Sequence, residues 1–345
     1  MKKILILHII FNVILSNDLD ELYFGTNDAL DIVTWNIEWF PKNDEVTVDY
    51  VSQIINALDM DVLAIQEVDD INLFNQMVDQ LIGYESYLES TWFAGLAYIY
   101  KTETVEINNI YEIYTSSPYW SPFPRSPMVM DMNFMDENYI IINNHFKCCG
   151  DNYLDGNDDG DEETRRYIAS NLLKAYIDTN FPNKNVIMLG DLNDLLTDNT
   201  TNNVFQMFIN DSEEYLFADM DIANGSSAEW SYPSWPSHLD HILITNELFD
   251  NNSYVEVIRI DDFMDGGFSE YDQNISDHRP VGLKLTTDLI IIGDINLDNE
   301  INVVDIVSII TIILDNGEYN ILADLNEDNI INIIDIVQLV NIILS

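Results

Sequence analysis

The chain of 345 residues is poor in basic side chains: it has 13 Lys+Arg against 61 Asp+Glu, and its formal net charge is −48 at pH 7. Proteins that bind duplex nucleic acid neutralise phosphates with Lys and Arg, and this surface offers few of them. Such a chain repels polyanions unless metal ions or salt intervene. The acidity indicates solubility in high salt or cold water, or many bound cations, and both can hold.

Cysteine is scarce as well. The chain contains two, Cys148 and Cys149, which are adjacent in HFKCCGD. A framework of several disulfides is therefore excluded. In a secreted chain the two side chains either form a vicinal disulfide or remain free thiols, and the sequence leaves both states open.

Long apolar runs are rare, and the clearest one opens the chain as MKKILILHIIFNVILS. Two lysines precede a run that is short for a membrane span, and Ser16 is a small residue at a suitable cleavage position. Residues 1–16 are interpreted as a signal peptide, which predicts a secreted protein, extracellular or attached to the cell surface. A buried first strand or an uncleaved anchor is the alternative. No membrane span is expected after cleavage, because acidic residues interrupt the later Ile-rich runs.

The hydrophobic content of 47% is enough for one large domain and a small second unit. The small unit is a repeat, in which GDINLDNEINVVDIVSIITIIL matches ADLNEDNIINIIDIVQLVNIIL at a shift of 30 residues. Oxygen-bearing side chains fall at positions 1, 3, 5, 9 and 12 of two loops, 294–305 and 324–335, and position 7 offers a carbonyl. This spacing is typical of a loop that wraps Ca²⁺. The predicted calcium ligands are Asp294, Asn296, Asp298, Glu300, Asn302, Asp305, Asp324, Asn326, Asp328, Ile330, Asn332 and Asp335.

One helix follows each loop, and the closing acid is Asp rather than Glu. On these features the segment 290–345 resembles a dockerin domain, the duplicated module that docks enzymes onto cohesin-bearing scaffolds. The resemblance implies a small all-α domain with two Ca²⁺ and a cohesin-type partner protein. A calcium-stabilised tail without a partner is the alternative. Since the chain from Asp288 on contains eleven acids and no Lys or Arg, the segment should not fold without cations.

A similar stretch, GDLND at 190–194, lacks the calcium spacing, because its fifth loop position is Leu195. It follows the apolar strand Val186–Leu189, so Asp191 and Asn193 arrive where a strand ends and project to the same side. A carboxylate and an amide at this place suit a metal-bound water and a phosphate oxygen. Alone, the same residues also simply make turns.

Further apolar strands deliver polar side chains at their edges, in DIVTWNIEWF, VLAIQEVDD, YIIINNHFK, SHLDHILIT and ISDHRPVGL. The ordered set WN, QE, NH, GDxN, LD and SDH resembles the endonuclease/exonuclease/phosphatase family over residues 28–287. The resemblance implies an α/β (α+β) fold, a four-layer sandwich of two mixed β-sheets flanked by helices, with the site at one edge.

The resemblance also assigns roles at matching positions. Glu67 is the principal ligand of Mg²⁺ or Mn²⁺, and the supporting metal ligands are Asn36, Glu38 and Asp277. Arg125 lies where the family has a phosphate-contacting arginine, with an ordinary surface arginine as the alternative.

The catalytic residues implied in the same way are His145, Asp191, Asn193, Asp240 and His278. Asp191 orients or deprotonates the attacking water, and Asn193 holds the phosphate. His278 contacts the scissile phosphate and is oriented by Asp240, which favours the charged imidazole. His145 is a second phosphate-facing histidine that can protonate the leaving oxygen.

The sequence thus predicts a secreted, metal-dependent phosphodiesterase, a nuclease that hydrolyses DNA or RNA. A phospholipase-C-like enzyme or a phosphomonoesterase of the same fold is the first alternative, and a non-catalytic binding protein is the second. The acidic loop 151–163 has calcium-like spacing at Asp155, Asn157 and Asp159, but Arg166 stands at its twelfth position. It is interpreted as a solvated loop, and whether it binds an ion stays open.

Overall fold

The structure is a computed structural model that describes residues 18–88, 94–249, 251, 253–286, 292–296, 300–315, 319–326, 328 and 330–344. The predicted signal peptide 1–16 and the predicted calcium ligand Asp298 lie outside the described residues. The chain divides into two compact units, Met1–Thr286 and Thr287–Ser345.

The strands of the first unit form two sheets of six. In chain order they are β1 (Ala29–Phe40), β2 (Val62–Val68), β3 (Tyr84–Tyr87), β4 (Gly95–Lys101), β5 (Val105–Glu112), β6 (Met128–Phe134), β7 (Glu137–His145), β8 (Asn185–Asp191), β9 (Tyr215–Phe217), β10 (Asp240–Thr245), β11 (Ser253–Val257) and β12 (Val281–Thr286). One sheet has the order β11-β12-β1-β2-β4-β3, and the other β5-β6-β7-β8-β10-β9.

Helices occupy the connections. They are α1 (Asp44–Leu58), α2 (Ile71–Val78), α3 (Glu162–Asn180), α4 (Gln206–Ile209), α5 (Met220–Ala223) and α6 (Gly267–Asn274), followed in the second unit by α7 (Val303–Asp315) and α8 (Ile333–Leu344). Aspartates cap the N-termini of α2 and α3: the side chain of Asp70 accepts from the first turn of α2, and Asp161 accepts from Thr164 N of α3. Such caps satisfy backbone donors that a helix cannot pair internally.

Both sheets are mixed, because β1 pairs parallel to β2 and β7 pairs parallel to β8, while the other pairings are antiparallel. The alternation of β1 explains the layers. Leu30 and Ile32 enter the core between the two sheets, whereas Val33 and Trp35 enter the core under the outer helices. A third core lies between the second sheet and α3. The prediction of two mixed sheets flanked by helices is therefore confirmed.

The second unit has a small core around Ile309, Ala323 and Leu339. Much of the apolar surface of its two helices remains exposed, including Val307, which is 58% exposed, and Val337, which is 54% exposed. No helix within the described residues is long and apolar enough to cross a membrane.

Candidate active site

The side chains that the sequence places at strand ends meet at one edge of the sheets. The register explains this meeting, because His145 of β7 lies beside Asp191 of β8, which in turn lies beside Asp240 of β10. In the other sheet, Asn36 of β1 pairs with the residue of β2 that precedes Glu67. These strand ends surround a cleft of about 590 Å³. The predicted site residues that line the cleft are Asn36, Glu38, Glu67, His145, Asp191, Asn193, Asp277 and His278.

Asn36 connects the two sheets at the floor of the cleft. Its Nδ2 donates to Asp191 Oδ2 at 2.9 Å and to Glu67 Oε1 at 3.2 Å. Its Oδ1 accepts from the backbone N–H of Glu38 at 2.9 Å. The amide thus holds two carboxylates of different sheets close together, with its own oxygen turned toward the Glu38 backbone.

Glu38 and Asp277 form the wall of the cleft next to α1. Glu38 Oε2 accepts from the backbone N–H of Asp277 at 2.8 Å and is paired with Lys42. Burial raises the pKa of Glu38, and the carboxylate of Asp277 raises it further, against the hydrogen bond from Lys42. This wall therefore concentrates negative charge.

His278 pairs with Asp240, as the sequence predicts: its Nδ1 lies 2.7 Å from Asp240 Oδ2. Its Nε2 faces the cleft, 3.9 Å from Asp191 Oδ2 and 3.9 Å from Asp277 Oδ1. Burial lowers the pKa of His278, but the carboxylates of Asp240 and Asp191 outweigh burial and raise the pKa to about 10. The imidazole is therefore charged at neutral pH.

His145 lies on the opposite side of Asp191. Its Nε2 is 3.5 Å from Asp191 Oδ2 and 3.7 Å from Glu67 Oε1. Burial, together with the positive charges of Arg125 and His278, holds the pKa of His145 well below its ordinary value. The neutral form of the His145 ring is therefore favoured at pH 7.

Asp191 is thus flanked by two histidines in different protonation states. Burial raises its pKa to about 7; the carboxylates of Asp240 and Glu67 also raise it, and His278 and the Asn36 hydrogen bond oppose them. Its Oδ1 accepts from the backbone N–H of Asn193 at 3.1 Å. This contact closes the turn after β8 and brings Asn193 to the cleft.

Arg125 lies outside the lining of the cleft. Its Nε donates to the carbonyl of Ala94 at 3.2 Å, and its positive charge contributes to the lowered pKa of His145.

Of the aromatic residues near Asp240, Tyr232 and Trp235 line the cleft, and the Tyr232 ring packs against His278 at a centroid distance of 4.9 Å. The adjacent cysteines, Cys148 and Cys149, are free thiols that also line it.

Several supporting residues escape the sequence analysis. Ser276 Oγ donates to the carbonyl of Asn36 at 2.6 Å and accepts from the backbone N–H of His278 at 3.0 Å. Tyr271 OH and Trp35 Nε1 both donate to the carbonyl of His278, at 2.6 Å and 3.2 Å. Ser276 stands inside the ISDH motif and could have been singled out, whereas Tyr271 carries no signal in the sequence.

A buried Asp–His network lies behind the cleft. Asp219 Oδ2 is 2.6 Å from His241 Nδ1 and 3.0 Å from His238 Nε2. His241 Nε2 is 2.9 Å from the carbonyl of Asp194, so this network supports the segment that follows β8. Burial alone would raise the pKa of Asp219, but His241 and His238 hold it well below its ordinary range.

The donor set of the cleft fits a hard divalent cation. Glu67, Asp191 and Asp277 bring carboxylates to one cleft, and none of the lining residues that the structure describes is Lys or Arg. Lys42 pairs with Glu38 at the side of the cleft. Carboxylate and amide oxygens are the ligands that Mg²⁺ and Mn²⁺ prefer, and carboxylates that outnumber the neighbouring cations favour cation binding.

The predicted calcium loops of the second unit bury carboxylates at both ends. Asp294, Asp305, Asp324 and Asp335 are all buried. The closing acids make equivalent contacts: Asp305 Oδ2 accepts from Asn302 N and Asp335 Oδ2 accepts from Asn332 N, each at 2.8 Å.

The middle positions of the two loops are also equivalent. The carbonyls of Glu300 and Ile330 each accept from the following asparagine, Asn302 or Asn332, at 3.4 Å and 3.1 Å. Asn296 donates its backbone N–H to Asp305 Oδ1. In the second loop Asn326 contacts Asp328, and the Asp328 N–H contacts Asp324.

A comparison with protein families identifies the first unit. The model described as "Endonuclease/Exonuclease/phosphatase family" matches residues 33–278. The fold and the site define a phosphoric ester hydrolase of a type that is often metal-dependent. The chain belongs to the endonuclease/exonuclease/phosphatase family. The match does not extend into the second unit, where no dockerin domain is detected.

Solved structures show the same fold. D. rerio TDP2 complexed with a single-strand DNA product is 12% identical, with a TM-score of 0.57, and the alignment covers 76% of this chain and 100% of that one. The human Nocturnin catalytic domain with bound sulfate is 15% identical, with a TM-score of 0.54 and coverage of 75% and 95%. A family protein from Bacteroides thetaiotaomicron is 16% identical, with a TM-score of 0.53 and coverage of 76% and 98%. No curated protein sequence matches the chain.

Proposed function

We propose that this protein is a secreted, metal-dependent phosphodiesterase that hydrolyses nucleic acid, and that its second unit is a calcium-binding dockerin. One observation carries the hydrolase proposal: Asp191 lies in a single cleft between the neutral His145 and the charged His278, and Asn36 ties it to Glu67. The N-terminal pattern of residues 1–16 supports secretion.

The residues of the cleft have different proposed roles in phosphodiester hydrolysis. Glu67, together with Asn36, Glu38 and Asp277, would hold a divalent ion, and such an ion would supply charge neutralisation at the phosphate. His278 faces the cleft as an imidazolium, held by Asp240, and stabilises charge that develops on a phosphate oxygen.

Asp191 is the proposed general base. Its Oδ2 lies at the centre of the site, where it can accept a proton from an attacking water. The turn that Asp191 closes with Asn193 holds the Asn193 side chain at the cleft for contact with a phosphate oxygen.

The surroundings of the cleft favour single strands over duplexes. No Lys or Arg is found among its described lining residues, so little phosphate neutralisation is available from side chains. Its aromatic residues are exposed instead: Trp235 is 78% exposed and Trp39 is 43% exposed. Base stacking on aromatic rings is tolerant of sequence and contributes about 1–3 kcal/mol per base. D. rerio TDP2, which shares the fold, has been crystallised with a single-strand DNA product.

A substrate panel tests this proposal. The full chain is assayed with Mg²⁺ on single-stranded DNA, RNA, plasmid DNA, sphingomyelin, inositol phosphates and a generic phosphodiester. We expect single-stranded nucleic acid to turn over fastest. Turnover of lipids or monoesters alone would reject the nuclease assignment, and no turnover of any ester would favour a binding protein.

The aromatic contribution has a matched control. Trp235→Ala should raise KM for single-stranded DNA about tenfold, because one stacked base is lost. Trp120→Ala removes another exposed indole, 63% exposed, that does not line the cleft, and should leave KM unchanged. Equal values of KM for the two variants would remove the stacking argument.

Two features support the dockerin proposal. Four buried carboxylates begin and end the two loops, and the second unit has no Lys or Arg to neutralise them. Exposed apolar residues at the start of both helices, Val303, Val304, Ile333 and Ile334, are suited to a protein partner. The proposed partner is a cohesin-type scaffold. Calcium-dependent binding of the full chain to a cohesin panel tests it, and binding to none of them would reject the docking function.

A further inference from the structure

The acidic loop 151–163 brings its two ends together. Asp151 stands at its beginning, and Asp161 and Glu163 stand at the start of α3. One carboxylate oxygen from each of the three residues lies within 4.8 Å of the others. Two oxygens on opposite sides of a calcium ion, each at about 2.4 Å, are separated by about 4.8 Å. Three oxygens this close together can all contact one such ion.

Glu163 gives an independent reason to expect a ligand. It is only 1% exposed, and within the described chain its Oε2 has no hydrogen-bond partner. A buried carboxylate oxygen without a partner is costly, and such groups in proteins are paired or bind metal ions. Its other oxygen, Oε1, accepts from the backbone N–H of Asn152 at 2.7 Å.

The charge around Glu163 is not balanced by protein cations. Arg166 lies 3.2 Å from Glu163 Oε1, but its Nε is shared with Asp194 Oδ2 at 2.7 Å. Among the ion pairs of the described residues, neither Asp151 nor Asp161 has a Lys or Arg partner. One guanidinium is thus shared by two carboxylates, and an additional cation would offset the repulsion among the acids at this place.

We infer that Asp151, Asp161 and Glu163 form a calcium site, separate from the catalytic cleft and from the C-terminal repeat. Carboxylates that bind through one or two oxygens, in a loop without fixed octahedral geometry, suit Ca²⁺ better than Mg²⁺. The calcium-like spacing in the sequence lies elsewhere: Asp155 contacts Asn157 locally. The site combines the two ends of the loop, which is why spacing alone does not reveal it.

The position of the site gives it a structural role. Gly150 packs against Glu163 so closely that a Cβ there would lie 2.2 Å from Glu163 Oε1. Arg166 also donates to the carbonyls of Lys147 and Cys149, both at 2.7 Å. The segment Cys148–Gly150 lines the cleft. A bound ion would therefore fix this wall of the cleft to the start of α3.

Calcium counting on the full chain tests the inference. Bound ⁴⁵Ca²⁺ is measured by equilibrium dialysis in excess Mg²⁺ for the wild type, Asp151→Asn, and the double variant Asp151→Asn/Asp161→Asn. Asp159→Asn is the matched control, since it removes one exposed charge from the same loop. We expect Asp151→Asn to weaken one Ca²⁺ at least tenfold, the double variant to lose one equivalent, and the control to match the wild type.

Amide hydrogen exchange identifies the part of the chain to which the ion binds. Calcium should slow amide exchange over residues 150–164 in the wild type and in Asp159→Asn, but not in the double variant. This readout is local, so ions in the C-terminal repeat do not affect it. Asp151 is exposed, so its replacement should leave the fold intact. Equal calcium counts in all four proteins, or exchange over 150–164 that ignores calcium in the wild type, would overturn the inference.

Discussion

Two stretches of this chain share the pattern Gly-Asp-apolar-Asn, at 190–193 and at 293–296, yet the contacts made around them differ in range along the chain. Asp191 contacts Asn36, which is 155 residues away, and faces His278. The partners of Asp305, which closes the loop opened by Asp294, are only ten residues away or fewer. The first stretch contributes one group to a cleft assembled by distant elements, whereas the contacts of Asp305 stay within the loop that the second stretch opens.

The glycines show the same contrast. Gly190 has a φ of +137° and pairs with β7, so that a Cβ there would lie 2.0 Å from the carbonyl oxygen of Asn144. Gly293 has a φ of +108°, and its nearest contact would be the flexible end of Leu339 at 3.0 Å. One glycine is required by the approach of two strands, and the other by a turn. Short motifs therefore acquire their function from what the surrounding structure brings to them.

The largest expected effect comes from replacing His278, which faces Asp191 from a distant part of the chain. His278→Ala should lower kcat by about 10²- to 10⁴-fold, because the charged donor at the phosphate is lost. The measurement is the rate of oligonucleotide hydrolysis, with circular dichroism as the control for folding. A variant that stays folded and retains more than a tenth of wild-type activity would contradict this role.

The next prediction concerns Gly190, where β8 packs closely against β7. Gly190→Ala should destabilise the first unit by about 3 kcal/mol, since the clash is with backbone and the φ is unfavourable. All six Trp residues lie in the first unit, so urea unfolding followed by Trp fluorescence reports on that unit alone. Gly293→Ala is the matched control and should leave this transition in place. Equal shifts in both variants would mean that the two glycines do not differ as described.

The loops 294–305 and 324–335, which are predicted to bind calcium, provide a test in the second unit. Asp305→Asn/Asp335→Asn should remove two Ca²⁺ and reduce the helical circular dichroism signal, because the buried closing acids are lost. Hydrolysis should stay within about twofold of wild type, since catalysis depends on the other unit. Unchanged calcium binding in this double variant would reject the assignment of the two loops.

The smallest effect concerns Asp31, at the start of β1. Burial raises its pKa to about 6, and Asp61 adds to this, against hydrogen bonds from Thr26. The folded state thus holds a proton that the unfolded chain releases near its ordinary pKa of 3.8. The resulting stabilisation is full below pH 3.8 and is lost as the pH rises through 6.

Asp31→Asn should therefore flatten the decline in stability between pH 5 and pH 8 by on the order of 1 kcal/mol. The measurement is urea unfolding by Trp fluorescence at both values. Asp28→Asn, which removes an exposed charge nearby, should keep the wild-type slope. A wild-type slope in Asp31→Asn as well would show that another group controls this decline.

The sequence predicts the polar side chains that line the cleft better than the residues that hold them in position. Glu67, Asp191 and His278 each follow or precede an apolar run, and polar groups at strand ends are visible as a local pattern. Tyr271 and the neutral state of His145 depend on contacts between distant elements, which no local pattern encodes. The same limit applies to the proposed site of Asp151 and Glu163, because these residues lie at the two ends of a loop and meet only when the loop folds.

Metal dependence provides the most direct test that these strand ends form a cation-assisted hydrolytic site. The rate of single-stranded DNA hydrolysis is measured against Mg²⁺ concentration for the wild type, Glu67→Gln, and Glu45→Gln, which changes an exposed acid on α1. The wild type and Glu45→Gln should saturate together and lose activity in EDTA, while Glu67→Gln should need at least about tenfold more Mg²⁺. A Glu67→Gln curve that overlays the wild type, or turnover that persists without metal, would contradict the account.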